Sequence, residues 1–268
     1  MQYSQQLFAD NKKLFYAWFQ AMFTRVDIII WDETVNNNLI EIVEKIEAEI
    51  SRIESFSNRF DTNSELSYVN ANAFNRPIEI SDELFKILTD CLIFNELTYG
   101  LFDITINSQN ETKSGINNIE LNTNSKSIKF LHTDVQLDLS GYIKGYALKS
   151  IMKIIENEHI ENTLINIGNS SSFGKGNHPF GSGWKIGIPD IATDCVLHNE
   201  CLTTSGNTVK TKWPIKNPKN DNGLLLSQPI SVITSDPSIG EIVSTSAYIA
   251  SENELASILK YFEAKIIN

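Results

Sequence analysis

Two periods of hydrophobic and polar positions run along this chain and divide it into strands and helices. Phe23–Trp31 carries Val26, Ile28, Ile29 and Ile30 in a nearly unbroken apolar run, which reads as a well-buried strand. Asn36–Phe56 then sets Leu39, Ile42, Val43, Ile46, Ile50 and Ile53 at helical spacing, with Glu41, Glu44, Lys45, Glu47 and Glu49 on the other faces. That spacing predicts an amphipathic helix with a solvated charged side. A second helix is capped by Ser81-Asp82, carries Leu84, Ile87, Leu88, Cys91, Leu92 and Phe94, and stops at Gly100. From Ile128 to Leu139, Val135, Leu137 and Leu139 alternate as the end of a half-buried strand. Beyond Ser140-Gly141 the period changes, and Ile143, Ala147, Ile151 and Ile154/Ile155 form one helical stripe. Thr163–Gly168, Trp184–Ile188 and Pro229–Thr234 read as further strands. Ser251-x-x-Glu254 is a capping box opening a last helix with Leu255, Ile258, Leu259 and Phe262. Residues 1–20 read as a polar, then aromatic, lead-in, and Asn107–Asn124 as a polar loop. Strands outnumber helices and many are joined by turns, which predicts a mixed α+β fold.

Composition narrows the classes. At 268 residues with 41% apolar and 21% charged positions, the chain can bury a large core and is neither disordered nor membrane-spanning. A formal charge of −11 argues against a nucleic-acid partner, which would need a basic stripe, and against docking on anionic lipid. Cys91, Cys195 and Cys201 are odd in number and lack metal-type spacing, so they read as free thiols of a reducing compartment. No run is long enough for a membrane helix. No cleavage site follows Leu14–Phe23 and no lipid-bearing cysteine lies near the N-terminus. The expected location is cytoplasmic, or periplasmic if a leader has been trimmed away.

The period change at residue 140 is where chemistry enters. It sets Asp138, Gly141, Lys144 and Gly145 around the first turn of a helix, whose unpaired N–H groups and positive dipole end suit a phosphate. Lys144 would add charge, and the glycines would let backbone approach an anion. An ordinary strand-to-helix connection with a surface lysine is the other reading of the same residues.

Leu137-Asp-Leu-Ser-Gly-Tyr-Ile-Lys-Gly-Tyr-Ala147 resembles the Leu-Asp-Leu-Gly-Gly-Ile-Ala-Lys-Gly-Tyr-Ala segment of the ApbE-type FAD:protein FMN transferases. Other segments follow in that family's order, so the resemblance covers about residues 20–260 of a single domain spanning 1–268. Met22-Phe23-Thr24 stands where the family has Met-Gly-Thr beside the flavin. Phe56–Asn70 resembles its Leu-Ser-x-Tyr-x-x-x-Ser-Glu-x-Ser-x-x-Asn run, with Phe60 at the tyrosine that packs on the flavin ring. Thr98-Tyr-Gly-Leu-Phe-Asp-Ile-Thr105 is close to Thr-x-Gly-Ala-Phe-Asp-Pro-Thr. Leu202-Thr-Thr-Ser-Gly-Asn207 is similar to Ala-Thr-Ser-Gly-x-Tyr. The resemblance implies a fold of mixed, largely antiparallel sheets packed with helices. It also implies FAD contacts from Met22, Phe60, Leu101, Phe102, Asp103, Asp138 and Lys144, although Phe102 and Asp103 alone read as core and turn former.

The implied reaction moves FMN from FAD to a threonine of a target protein with Mg²⁺, and the chain departs from the family where that metal is handled. The family's His-Ile-x-Asp-Pro-x-x-Gly becomes Pro214-Ile-Lys-Asn-Pro-Lys-Asn-Asp-Asn-Gly223, putting Pro214 for histidine and Asn217 for aspartate. Aligning Ala-Asp-Ala-x-x-Thr with Thr245-Ser-Ala-Tyr-Ile-Ala250 puts Ser246 at the metal-binding aspartate and Ala250 at the threonine. The backbone of Gly141 would be the remaining ligand, and Glu241, Glu252 and Glu254 lie near enough in sequence to substitute. The expectation is therefore a flavin transferase with altered metal ligands. A flavin-binding or sensing homologue without transfer, or an interaction protein without ligand, is the alternative.

Overall fold

The computed structural model describes residues 1–7, 13–32, 38–108, 115–188, 195–206, 215–219 and 228–267. Its N-terminal segment is no lead-in: it holds two strands, β1 (Gln2–Leu7) and β2 (Lys13–Ala21), paired with each other. Phe15, Ala17, Phe19 and Ala21 are buried at a period of two, while the residues between them face outward. The two alanines understate the apolar face, which hides the strand in the sequence. β2 turns directly into β3 (Thr24–Asp32). Then come α1 (Leu39–Ser57), α2 (Glu65–Asn72), β4 (Ile78–Glu79), α3 (Asp82–Leu97), β5 (Ile119–Asn122), β6 (Ser127–Phe130) and α4 (Ile143–Asn157). β7 (Thr163–Ile167), β8 (Ser171–Lys175), β9 (Trp184–Ile186), β10 (Cys195–Leu197), β11 (Glu200–Ser205), β12 (Ile230–Thr234), α5 (Pro237–Ala247), α6 (Glu252–Tyr261) and β13 (Lys265–Ile267) complete it.

The main sheet has eight antiparallel strands in the order β1-β2-β3-β7-β8-β11-β12-β13, and a small sheet has the order β4-β6-β5. This is the mixed α+β, largely antiparallel architecture expected. One core lies between the main sheet and two helices: Ile42, Ile46 and Ile50 of α1 and Leu148, Ile151 and Ile155 of α4 pack on Phe15, Val26, Ile28, Ile165 and Ile167. A second core joins α3 to the small sheet through Leu84, Ile87, Leu88, Ile128 and Phe130. The stripes that predicted α1 and α4 are thus the residues that bury them. All three cysteines are free and buried. Among the described residues no helix is long and apolar enough to cross a membrane.

Two segments depart from the periodic reading, and both border the cleft. Val135, Leu137 and Leu139 are buried and alternate, but their segment joins no sheet. Its backbone is paired by side chains and a loop instead. Asn70 accepts from Leu137 N at 2.8 Å and donates to Leu137 O at 3.0 Å, while Asp138 N donates to Ile104 O at 2.7 Å. An extended segment satisfied this way obeys the same burial pattern as a strand. The second departure is α5, which no apolar stripe announces, because Ser238, Gly240, Ser244 and Ser246 are small and polar yet buried. It starts on Asp236, whose side chain accepts from Ser238 N at 2.9 Å, with Pro237 in the first turn. Small residues let it lie close to its neighbours. A Cβ on Gly240 would come within 2.4 Å of Thr203 Oγ1, and one on Gly145 of α4 within 2.3 Å of the Pro237 carbonyl. Gly145 is therefore explained by the approach of two helices rather than by room for an anion.

Candidate active-site cleft

A cleft of about 580 Å³ opens between the turns at one end of the main sheet and the first turn of α4. That volume suits a small-molecule ligand. Met22, Phe60, Leu101, Phe102, Asp103, Asp138, Gly141 and Lys144, scattered through the sequence, all line it.

Its outer end is aromatic and exposed. β2 and β3 are joined by Met22-Phe23 alone, since Ala21 pairs with Thr24, and both turn residues have positive φ, 50° and 58°. Such two-residue hairpins favour glycine at the second position, where phenylalanine costs on the order of 1 kcal/mol or more. The turn is pinned by Met22 N, which donates to Glu54 Oε2 at 2.8 Å. Phe23 stands edge-on to Phe60 with ring centroids 6.0 Å apart, and the Arg59 guanidinium sits 4.4 Å from the Phe60 centroid. Arg59 also pairs with Asp138, Nε to Oδ2 at 3.1 Å, and Asn107 donates to the same oxygen. Sequence reasoning passed over Arg59; the signal was a lone basic residue beside the aromatic position in an Asn- and Ser-rich run.

The middle of the cleft is built on Leu101-Phe102-Asp103. Leu101 and Phe102 are buried in different cores, so they fix the wall as they line it. Asp103 accepts from Thr105 N at 2.7 Å and from its hydroxyl, the turn geometry expected of an aspartate here. Burial pushes its carboxyl pKa up, and the Thr105 hydrogen bonds oppose that.

At the inner end, Gly141 meets the cleft but the predicted side-chain ligand positions Ser246 and Ala250 do not. Ser246 is fully buried with no hydrogen-bond partner for its hydroxyl, and Ala250 lies beyond α5, packed with Tyr248, Ile249 and Ile258. The side chains of α5 that line the cleft are Glu241 and Thr245, one helical turn apart and so on one face. The run Gly240-Glu-Ile-Val-Ser-Thr245 thus occupies the Ala-Asp-Ala-x-x-Thr pattern, with glutamate for aspartate and the threonine kept. The register over Thr245–Ala250 followed a hydroxyl that points into the core. Glu254 caps α6 instead, Ser251 N donating to its Oε2 at 2.9 Å, and Glu252 is an exposed residue of that helix's first turn.

Glu241 is 4% exposed. Burial pushes its carboxyl pKa up, while the nearby Lys144 charge and a hydrogen bond from Ser171 pull it down. Lys144 itself donates to Ser170 Oγ. Ser205 lies beside Thr245, their hydroxyls 3.3 Å apart. One buried carboxylate amid hydroxyls is a hard-oxygen set that fits Mg²⁺, which takes few protein carboxylates and completes its shell from water or phosphate. Among the described residues no cluster of three or more His, Cys, Asp or Glu could hold a metal. Lys216 and Pro218 line the cleft from the 215–219 segment, and Asn217 accepts from Lys219 N at 2.9 Å. Pro214 and Gly223 lie outside the described residues.

The family model described as the ApbE family matches residues 22–112 and 108–266, which includes every one of these cleft residues. The chain belongs to the ApbE family. It is 24% identical over 253 residues to the FAD:protein FMN transferase of Chlamydia pneumoniae, covering 83% of this chain and 77% of that protein. To the FAD:protein FMN transferase of Chlamydia muridarum it is 27% identical over 193 residues, 63% of this chain and 60% of that one. The fold is similar to that of the flavin transferase ApbE from Vibrio cholerae, with a TM-score of 0.80 at 15% identity over 95% of this chain and 93% of that one. The ApbE protein of Thermotoga maritima gives 0.78 at 20% identity over 95% and 94%.

Proposed function

We propose that this chain is an FAD:protein FMN transferase that moves FMN from FAD to a threonine hydroxyl of a target protein. The observation that carries this reading is the inner end of the cleft. There Lys144, at a helix start, and the buried Glu241 with Thr245 converge where a dinucleotide's pyrophosphate would lie. FAD is the substrate. Phe60 would meet its ring system, Leu101–Asp103 its adenosine side, and Lys144 with the α4 first turn its phosphates. The acceptor oxygen forms a bond to the FMN phosphorus, the pyrophosphate P–O bond breaks to release AMP, and the acceptor proton ends in solvent. Glu241 and Thr245, with backbone oxygen near Gly141, would hold Mg²⁺. Bound there, the ion would offset negative charge developing on the phosphates. Lys144 supplies a fixed positive charge on the same side, and the buried hydroxyls of Ser171 and Ser205 help orient Glu241 and Thr245.

The test is incubation of the purified protein with FAD, Mg²⁺ and a threonine-containing acceptor domain. Release of AMP should match the appearance of a covalently fluorescent acceptor, and chelation of Mg²⁺ should stop both. Tight FAD binding with neither product, across several acceptors and metal concentrations, would overturn the transferase reading.

A further inference from the structure

Phe23 is the residue of the cleft that the fold least requires. It lies in the left-handed region at φ 58° and is 79% exposed, so it contributes little to either core. The turn cannot relax around it. Ala21–Thr24 pairing closes the hairpin, Glu54 holds Met22 N, and Thr24 packs where Gly168 leaves no room for a Cβ. A backbone held in a disfavoured conformation to present an exposed ring at a cleft mouth needs a use for that ring. Phe60 supplies the context, since it too is exposed, and the two rings meet at 85° with centroids 6.0 Å apart. Arg59 lies over the Phe60 ring, and the residue is still 68% exposed.

We propose that Phe23 and Phe60 form a two-walled aromatic corner that takes a planar heteroaromatic ring. A ring stacked on one wall presents its edge to the other, so both preferred aromatic geometries are met at once. This rests on the flavin transferase reading, and assigns to Phe23 a specificity role that glycine at that position could not have. The corner should favour ligands carrying the tricyclic flavin over nucleotides that only fill the inner cleft.

The test is calorimetric titration of the full chain with FAD and with ADP, for the wild type, Phe23→Gly and Phe23→Tyr. Phe23→Gly should weaken FAD about three- to ten-fold, the worth of one aromatic contact, and leave ADP within about two-fold. Phe23→Tyr, which keeps the ring, should bind FAD like the wild type. The glycine variant should melt no lower than the wild type, because glycine adopts that φ without strain. Unchanged FAD affinity in Phe23→Gly, or equal losses for FAD and ADP, would overturn the aromatic corner while leaving the transferase reading in place. A wild type that binds ADP but gains nothing from the flavin half would overturn both.

Discussion

The two ends of the cleft solve opposite problems. At the inner end a carboxylate is taken almost wholly out of water and compensated by one lysine and one serine hydroxyl. At the outer end two phenylalanines are left in water, one of them on a strained backbone. Each arrangement costs stability in the free protein, through desolvation in one case and through exposed apolar surface and strain in the other. A ligand that is charged at one end and aromatic at the other would relieve both. The inner end is thus set by what is buried and the outer by what is not, and each can be removed separately.

The largest effect belongs to Glu241. Glu241→Gln should lower FMN transfer by about 100-fold or more, the range seen when a preorganised electrostatic group is lost. Titration with Mn²⁺ as a Mg²⁺ substitute should lose its strong site. The metal-free variant should melt no lower than the wild type, because a buried charge has been replaced by a neutral amide of similar shape. Turnover within about ten-fold of the wild type would erase the distinction between the two ends.

Ser246 tests the register on α5. Placing a carboxylate there by Ser246→Asp would be restorative if that position faced the metal. Since it is fully buried and its hydroxyl has no partner, the variant should instead lose about 3 kcal/mol or more and fall in melting temperature or solubility. Ser246→Ala, which removes an unsatisfied hydroxyl, should be neutral or stabilising. Stronger metal binding by a well-folded Ser246→Asp protein would refute the Glu241–Thr245 register.

The difference between Glu241 and Ser246 also shows what was legible in the sequence. The turn from Leu137 to Ala147 could be read because the hydrophobic period changes there, and its Asp138, Gly141 and Lys144 do line the cleft. Helix α5 could not be read in the same way. Its small buried serines and Gly240 erase the apolar stripe, so nothing in the pattern indicates which face meets the sheet and which the cleft. Without the face, two registers of one family pattern compete, and the one with a serine at the acid position is indistinguishable from a true loss. β2 was lost for a related reason, its alanines being as buried as its phenylalanines. Arg59 offered only its place beside Phe60 as a signal, because its other partner, Asp138, reaches it only in the fold.

Lys144→Ala tests the inner end from its other charge. A charge-assisted contact to phosphate is worth roughly 1.5–3 kcal/mol, so FAD and ADP should both weaken by about ten- to a hundred-fold. Equal losses for the two ligands are the signature of the inner end, in contrast to the selective loss expected for Phe23. The free protein should also melt lower, because Lys144 is the cation that compensates the buried Glu241 carboxylate. Titration curves unchanged for both ligands would remove Lys144 from the site.

Arg59→Ala should have the smallest effect and is the most discriminating for the outer end. The guanidinium stacks on Phe60 and pairs with Asp138, so its loss could act on the aromatic corner or on the carboxylate. Asp138 would keep the Asn107 side chain and the Ser140 N–H at 2.9 Å, so its position should survive and the melting temperature should barely move. The effect should come through Phe60, where a partly exposed cation–π contact is worth about 0.5–1 kcal/mol and holds the ring against free rotation into solvent. FAD should therefore weaken about two- to five-fold, with ADP unchanged. If ADP weakens as much as FAD, Arg59 acts through Asp138 on the phosphate side, and the boundary between the two ends must be drawn outside Arg59 rather than inside it.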